Sequence, residues 1–238
     1  MVEAIPIENV TPGERNYTFP VEGKAEDGQG YFCSAGRDSK NAIILIQEWW
    51  GLNQSICKTA EIFAEQGFAV LAVDIYRGKT ADSSESAGHL FNGLDFAGAI
   101  QDIRAAANSL KAKGYEKVGV TGFCMGGALT IAAVASGEEF AAAVPFYGVP
   151  DLSKFNLANI KIPVLAHFGE KDEVKGFSDK ETAYKLEAAA KEAGINFTLH
   201  LWDAGHAFMN QASPKNYMPE LAKQALEEST QFFRKAFE

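Results

Sequence analysis

The 238-residue chain is poor in several things that whole classes of protein need. It has three cysteines, Cys33, Cys57 and Cys124, too few for a disulfide framework, and an odd count leaves at least one thiol over. It has no block of basic residues, and 22 Lys and Arg against 31 Asp and Glu leave a net charge of −9. A field of that sign repels phosphate, which argues against nucleic-acid and anionic-membrane partners. The longest nearly apolar run, Phe140 to Pro150, is about half of the roughly 20 residues that a membrane span requires. Residues Met1 to Glu8 lack a basic stretch followed by an apolar one, so no signal peptide is expected. The cytoplasm, or another reducing compartment, is the expected location, with the thiols free. Cysteines and histidines show no metal-ligand spacing, so no metal site is expected. No repeat and no Pro/Gly/Ser linker divides the chain, and residues 1–238 are expected to form one domain.

What the chain does have is alternation. Residues 1–40 are polar and turn-rich, with short strand candidates at Tyr17–Val21 and Gly30–Ser34. From Ala42 onward, short hydrophobic runs alternate with helical spacing. Strands are expected at Ile43–Gln47, Ala69–Ile75, Val118–Phe123, Ala141–Tyr147, Val164–Gly169 and Phe197–Trp202. Helices are expected at Gln54–Gln66, Gly127–Ala135, Glu181–Ala193 and Glu220–Phe237, with a long helix or helix pair over Ala87–Lys113. Nearly continuous hydrophobic strands separated by helices call for a parallel sheet covered on both faces. The fold class is therefore α/β: a mostly parallel, doubly wound sheet with antiparallel strands at its N-terminal edge. In such sheets the site lies at the carboxyl ends of the strands, so chemistry is sought on the turns that follow them.

One turn stands out. Gly122-Phe-Cys124-Met-Gly126-Gly127 follows a strand and precedes a helix, the G-x-S-x-G nucleophile-elbow pattern with cysteine in place of serine. So tight a turn leaves no room for side chains two positions either side of Cys124, hence the glycines. It lifts the sulfur above the sheet, aims the Met125 amide at an oxyanion position and lets the helix N-terminus favour thiolate. Cys33 and Cys57, without flanking glycines, are expected to be packed thiols.

A thiol nucleophile needs a base and a group that orients it. The order that accompanies this elbow is nucleophile, acid, histidine. Asp172 in Phe168-Gly-Glu-Lys-Asp172 and His206 in Ala204-Gly-His206 follow later strands in that order, with Glu170 and Glu173 as competing acids. His167 and His200 fall inside strands and are expected to be packed, whereas His89 falls in a polar helix start and is expected to be solvated. After the first parallel strand comes Gln47-Glu48-Trp49-Trp50-Gly51. The Trp49 amide is expected to be the second oxyanion donor, with Glu48 projecting toward the sulfur as a buried carboxylate able to take its proton.

Together these stretches resemble the dienelactone hydrolase family of α/β hydrolases. The similar segments are Gln47 to Asn53, Val73-Asp-Ile-Tyr76, Gly122 to Gly127, Phe146-Tyr-Gly148 and Ala204-Gly-His-Ala-Phe208, from about residue 40 to the C-terminus. The resemblance implies an α/β-hydrolase fold and a triad of Cys124, His206 and Asp172, with Glu48 paired to the thiol. It also implies hydrolysis of a small-molecule lactone or ester through an acyl-enzyme, without cofactor, by a monomer. Family enzymes acting on dienelactone hold its carboxylate with two arginines. Here Arg77 stands one place early and position 210 is Asn210; these two, with Trp50, are the candidate substrate-binding residues. A neutral amide does not replace a bidentate guanidinium, so a less anionic ester or lactone is expected as substrate. Two other readings share the fold: a binding protein that keeps the pocket without turnover, and a redox sensor built on an exposed thiolate.

Overall fold

The computed structural model describes residues 11–34, 36 and 39–238. Eight strands form one sheet: β1 (Tyr17–Phe19), β2 (Gly28–Ser34), β3 (Asn41–Ile46), β4 (Ala69–Val73), β5 (Lys117–Phe123), β6 (Ala142–Phe146), β7 (Val164–Gly169) and β8 (Phe197–Trp202). Their order is β1-β2-β4-β3-β5-β6-β7-β8. β1 pairs with β2, and β2 with β4, in antiparallel fashion, while every pair from β4 through β8 is parallel. Every residue of β4 and of β6 is buried, which requires cover on both faces. The fold is thus the mixed, doubly wound sheet that the alternation implies.

Six helices supply the cover: α1 (Gln54–Glu65), α2 (Ser84–Asn92), α3 (Phe96–Ala112), α4 (Met125–Ser136), α5 (Lys180–Glu192) and α6 (Pro219–Ala236). α4 is apolar all round and buried from Met125 to Ala135, as befits a helix wedged between the sheet and α3. Phe68 packs edge-on against Phe233 and Phe237 at the end of α6. The segment expected to be helical over 87–113 starts earlier and is broken: α2 begins at Ser84 under a Ser83 cap, and Gly93 to Asp95 interrupt it. Asp95 accepts the Gly98 amide and so starts α3 afresh. His89 accordingly lies in the last turn of α2, not at a helix start, although it is exposed as expected. The first strand ends at Phe19, because Pro20 removes the next backbone donor. No helix among the described residues is long and apolar enough to cross a membrane.

His167 of β7 is fully buried among aromatic rings, stacked on Phe146 at 4.6 Å. Trp202 Nε1 donates to its Nδ1 at 3.0 Å, so the ring proton is on Nε2, which meets Ser229 Oγ at 3.1 Å. Burial holds its pKa down at about 3, from the usual 6.5. A histidine depressed in the folded state binds more protons when unfolded, so its contribution to stability falls as pH drops below about 6.5. We expect the His167→Gln variant to lose less urea resistance than the wild type between pH 6.5 and pH 4. The difference approaches about 1.4 kcal/mol per pH unit. Parallel urea midpoints for the two proteins would contradict this.

Candidate active site

Cys124 sits between β5 and α4 with φ 55°, a left-handed conformation that costs a non-glycine residue energy. The flanking glycines explain how the chain tolerates it. A Cβ on Gly122 would lie 2.4 Å from the Gly126 carbonyl oxygen, and one on Gly126 would lie 2.4 Å from that of Ile46. Neither clash has room to relax, since both contacts are backbone.

From the carboxyl end of β8, His206 reaches back so that its Nε2 lies 3.3 Å from Cys124 Sγ. Its Nδ1 lies 2.7 Å from Asp172 Oδ2, on the turn after β7. Asp172 is buried, and its other oxygen accepts the Val174 amide at 2.9 Å, which fixes the carboxylate. A carboxylate only accepts, so Nδ1 carries the imidazole proton and Nε2 turns its lone pair to the sulfur. The ring is packed edge-on to Tyr147, with centroids 5.2 Å apart. The competing acids are placed elsewhere: Glu170 pairs with Lys180, and Glu173 is exposed.

At the sulfur the helix end favours thiolate, as expected, but burial and charge outweigh it. Burial raises the Cys124 thiol well above its ordinary range, and the negative fields of Glu48 and Asp172 add to that. The Met125 amide opposes them but does not win.

Glu48, after β3, is buried close enough for its charge to act on the sulfur, yet its hydrogen bonds go elsewhere. Tyr147 Oη donates to Oε1 at 3.3 Å and Asn210 Nδ2 donates to Oε2. Burial pushes its carboxyl up to about 7, with His206, Tyr147 and Asn210 pulling the other way. Two neutral donors thus hold the Glu48 carboxylate in place, and its charge is felt at the sulfur. Asn210, expected as a substrate-binding residue, is one of them, with its amide on Glu48. The Trp49 amide, at the same strand end, takes no backbone oxygen among the described residues, and the Met125 amide heads α4. Both are available as oxyanion donors.

Arg77 and Trp50 are not brought to the sulfur. Arg77, at φ 53°, forks onto Asp102 of α3 at 2.8 and 2.9 Å and donates to the Asp27 carbonyl at 2.7 Å. Its guanidinium ties the turn after β4 to α3 and is spent there. Trp50 is buried against Ala81 and Ala87, anchoring the segment that carries α2. Cys33 is half-buried, Cys57 is buried, and both are free thiols.

Two participants escaped the sequence reading. Tyr147 follows β6 at φ 34°, so the carboxyl-end rule could have found it. Ser178, fully buried, places Oγ 3.0 Å from His206 Nδ1 as a second acceptor for the proton that Asp172 takes. It lies in an irregular turn after Val174, and no pattern marks it. The one cluster with metal-ligand composition among the described residues is His167, His200 and Glu228. It does not fit a cation, because Trp202 and Ser229 already occupy both nitrogens of His167.

This sheet, with a nucleophile turn after β5 and acid and histidine after β7 and β8, defines the α/β-hydrolase fold. Solved structures agree: a dienelactone hydrolase-like promiscuous phosphotriesterase from metagenomic libraries superposes with a TM-score of 0.79 at 22% identity, covering 92% of this chain and 97% of that one. The sequence profile described as the dienelactone hydrolase family matches residues 29–237, and the chain belongs to that family. Protein usf of Aquifex pyrophilus is 34% identical over 205 residues, 81% of this chain and 87% of that protein. The carboxymethylenebutenolidase of Pseudomonas putida is 27% identical over 226 residues, 87% of this chain and 92% of that one. The protein is an enzyme of the ester and lactone hydrolase class.

Proposed function

We propose that the protein hydrolyses an uncharged carboxylic ester or lactone through an acyl-enzyme on Cys124. The observation that carries this reading is the continuous relay Asp172–His206–Cys124, at 2.7 and 3.3 Å, on a strained turn with the Met125 amide at the sulfur. Cys124 Sγ passes its proton to His206 Nε2 and attacks the carbonyl carbon, forming the C–S bond. The oxyanion is held by the Trp49 and Met125 amides, each worth about 10²–10³ in rate. His206 returns the proton to the departing oxygen as the C–O bond breaks. It next takes a proton from water, whose oxygen attacks the thioester carbon, and the sulfur leaves and recovers its proton. Asp172 keeps the imidazole in the tautomer that can do this, and Ser178 steadies the same N–H. Glu48 keeps the resting thiol protonated, so that the thiolate forms only when an ester is in place.

Loss of both arginine positions supports a neutral substrate: Arg77 is held by Asp102, and Asn210 by Glu48. Every group of the relay comes from one chain, so a monomer suffices. A nucleophilic thiol requires a reducing compartment such as the cytoplasm. Hydrolysis rates for p-nitrophenyl acetate, simple neutral lactones and dienelactone test the assignment. We expect the neutral compounds to be turned over with a higher kcat/KM than the carboxylate-bearing lactone. Preference for the anionic lactone would contradict it.

A further inference from the structure

We propose that the groove between α3 and residues 149–155 seats an uncharged, extended apolar arm of the ester. The substrate class is then esters carrying a medium-length alkyl or aryl group. This inference rests on the reading of Cys124 as nucleophile and adds what the nucleophile's substrate looks like.

The groove encloses about 770 Å³, the size of small-molecule sites. Its walls are Phe91, Phe96, Phe155 and Phe177 with Val149 and Pro150, and all four rings keep part of their surface open. Phe91 is 39% exposed, and Phe96 and Phe155 face one another with centroids 6.3 Å apart. Four partly open phenylalanines around one depression form an apolar surface that a ligand can cover.

The groove adjoins the site at Phe177: its ring lies 6.5 Å from that of His206, and it immediately precedes Ser178. The Val149 amide donates to the Phe177 carbonyl at 2.9 Å, joining two walls. Ala128 on the floor donates its amide to the Cys124 carbonyl at 3.2 Å, one turn from the nucleophile. An arm leaving the scissile carbonyl past Phe177 therefore enters the groove.

Charge defines what the arm is. Asp95 caps α3, Arg104 forks onto Glu139 at 2.7 to 3.0 Å, and Asp151 caps Ser153 while lying 3.7 Å from Lys154. Both cations lining the groove, Arg104 and Lys154, are paired with carboxylates, which leaves none to recruit an anionic arm. Aromatic walls beside a rim without a free cation suit an apolar, uncharged group.

The test compares kcat/KM for p-nitrophenyl acetate, butyrate and hexanoate, and for ethyl and hexyl acetate, in wild type, Phe155→Ala and Phe91→Ala. Each methylene that becomes buried raises kcat/KM by up to about fourfold. We expect a rise on the order of 10²-fold with length in one of the two series. Either substitution removes most of it while leaving ethyl acetate, which has no arm long enough to reach the groove, within about twofold of wild type. Phe91 is exposed, so its variant keeps the test independent of folding. Rates that are flat with length, or a rise that both variants retain, overturn the proposal while the nucleophile assignment stands on acetate turnover. Unchanged ester selectivity with altered self-association makes the groove a docking face for a second copy and also overturns it. A wild type inert toward every ester removes the nucleophile reading and this proposal with it.

Discussion

Replacing Cys124 with alanine lowers kcat/KM for p-nitrophenyl acetate by at least about 10⁴-fold, leaving only what oxyanion donors and binding provide. The size of the effect follows from the geometry. His206 Nε2 has the sulfur as its partner at 3.3 Å, and its other nitrogen is committed to Asp172 and Ser178. Without the sulfur, the imidazole could only promote direct attack by water, a path for which the elbow is not arranged. Alanine fits the positive φ no worse than cysteine, so the variant folds and the loss reads as chemistry. Steady-state rates with thermal melting of the same samples measure it. Activity within tenfold of wild type would remove Cys124 from the reaction, and with it the acyl-enzyme.

Asp172→Asn comes next in size. The amide can present an N–H to His206 Nδ1, which stabilises the tautomer whose proton faces the sulfur and cannot accept another. We expect kcat to fall on the order of 10³–10⁴-fold with KM nearly unchanged. The buried carboxylate also accepts the Val174 amide, so the variant preserves the turn while reversing the polarity at one atom. Ser178→Ala sets the scale for comparison: it removes a neutral acceptor from the same nitrogen, worth about 0.5–1.5 kcal/mol and so roughly 2- to 13-fold in kcat. Equal losses in the two variants would mean that crowding around the ring, and not its tautomer, governs the rate. A loss smaller than tenfold in Asp172→Asn would deny Asp172 its orienting role.

How much of this was legible in the chain depends on the range of the interaction involved. The elbow is local: glycines at 122 and 126 are demanded by backbone contacts within one strand-turn-helix unit and its neighbour β3, so the pattern carries them. The positions of Asp172 and His206 follow from a topological rule about strand ends, and the structure brings both to the sulfur. The break at Gly93 to Asp95 was written in the chain as a C-cap glycine followed by an N-cap aspartate, but helical spacing on both sides masked it. Arg77 could not be placed from its neighbours, because whether it faces the cleft or α3 depends on Asp102, 25 residues on. Glu48 likewise finds its partners 99 and 162 residues away, and those partners fix its carboxylate. Ser178 is a hydroxyl in an irregular turn, and only the packed ring of His206 gives it meaning.

The account stands on covalent catalysis by one thiol, and intact-protein mass spectrometry of the full chain, acid-quenched during turnover of p-nitrophenyl acetate, tests that directly. The account predicts a species heavier by a single acetyl group, mapped by peptide analysis to Cys124, formed at the rate of the initial nitrophenol burst and lost at the steady-state rate. Turnover with no such adduct, or an acetyl group on another residue that forms and decays at those rates, would contradict it.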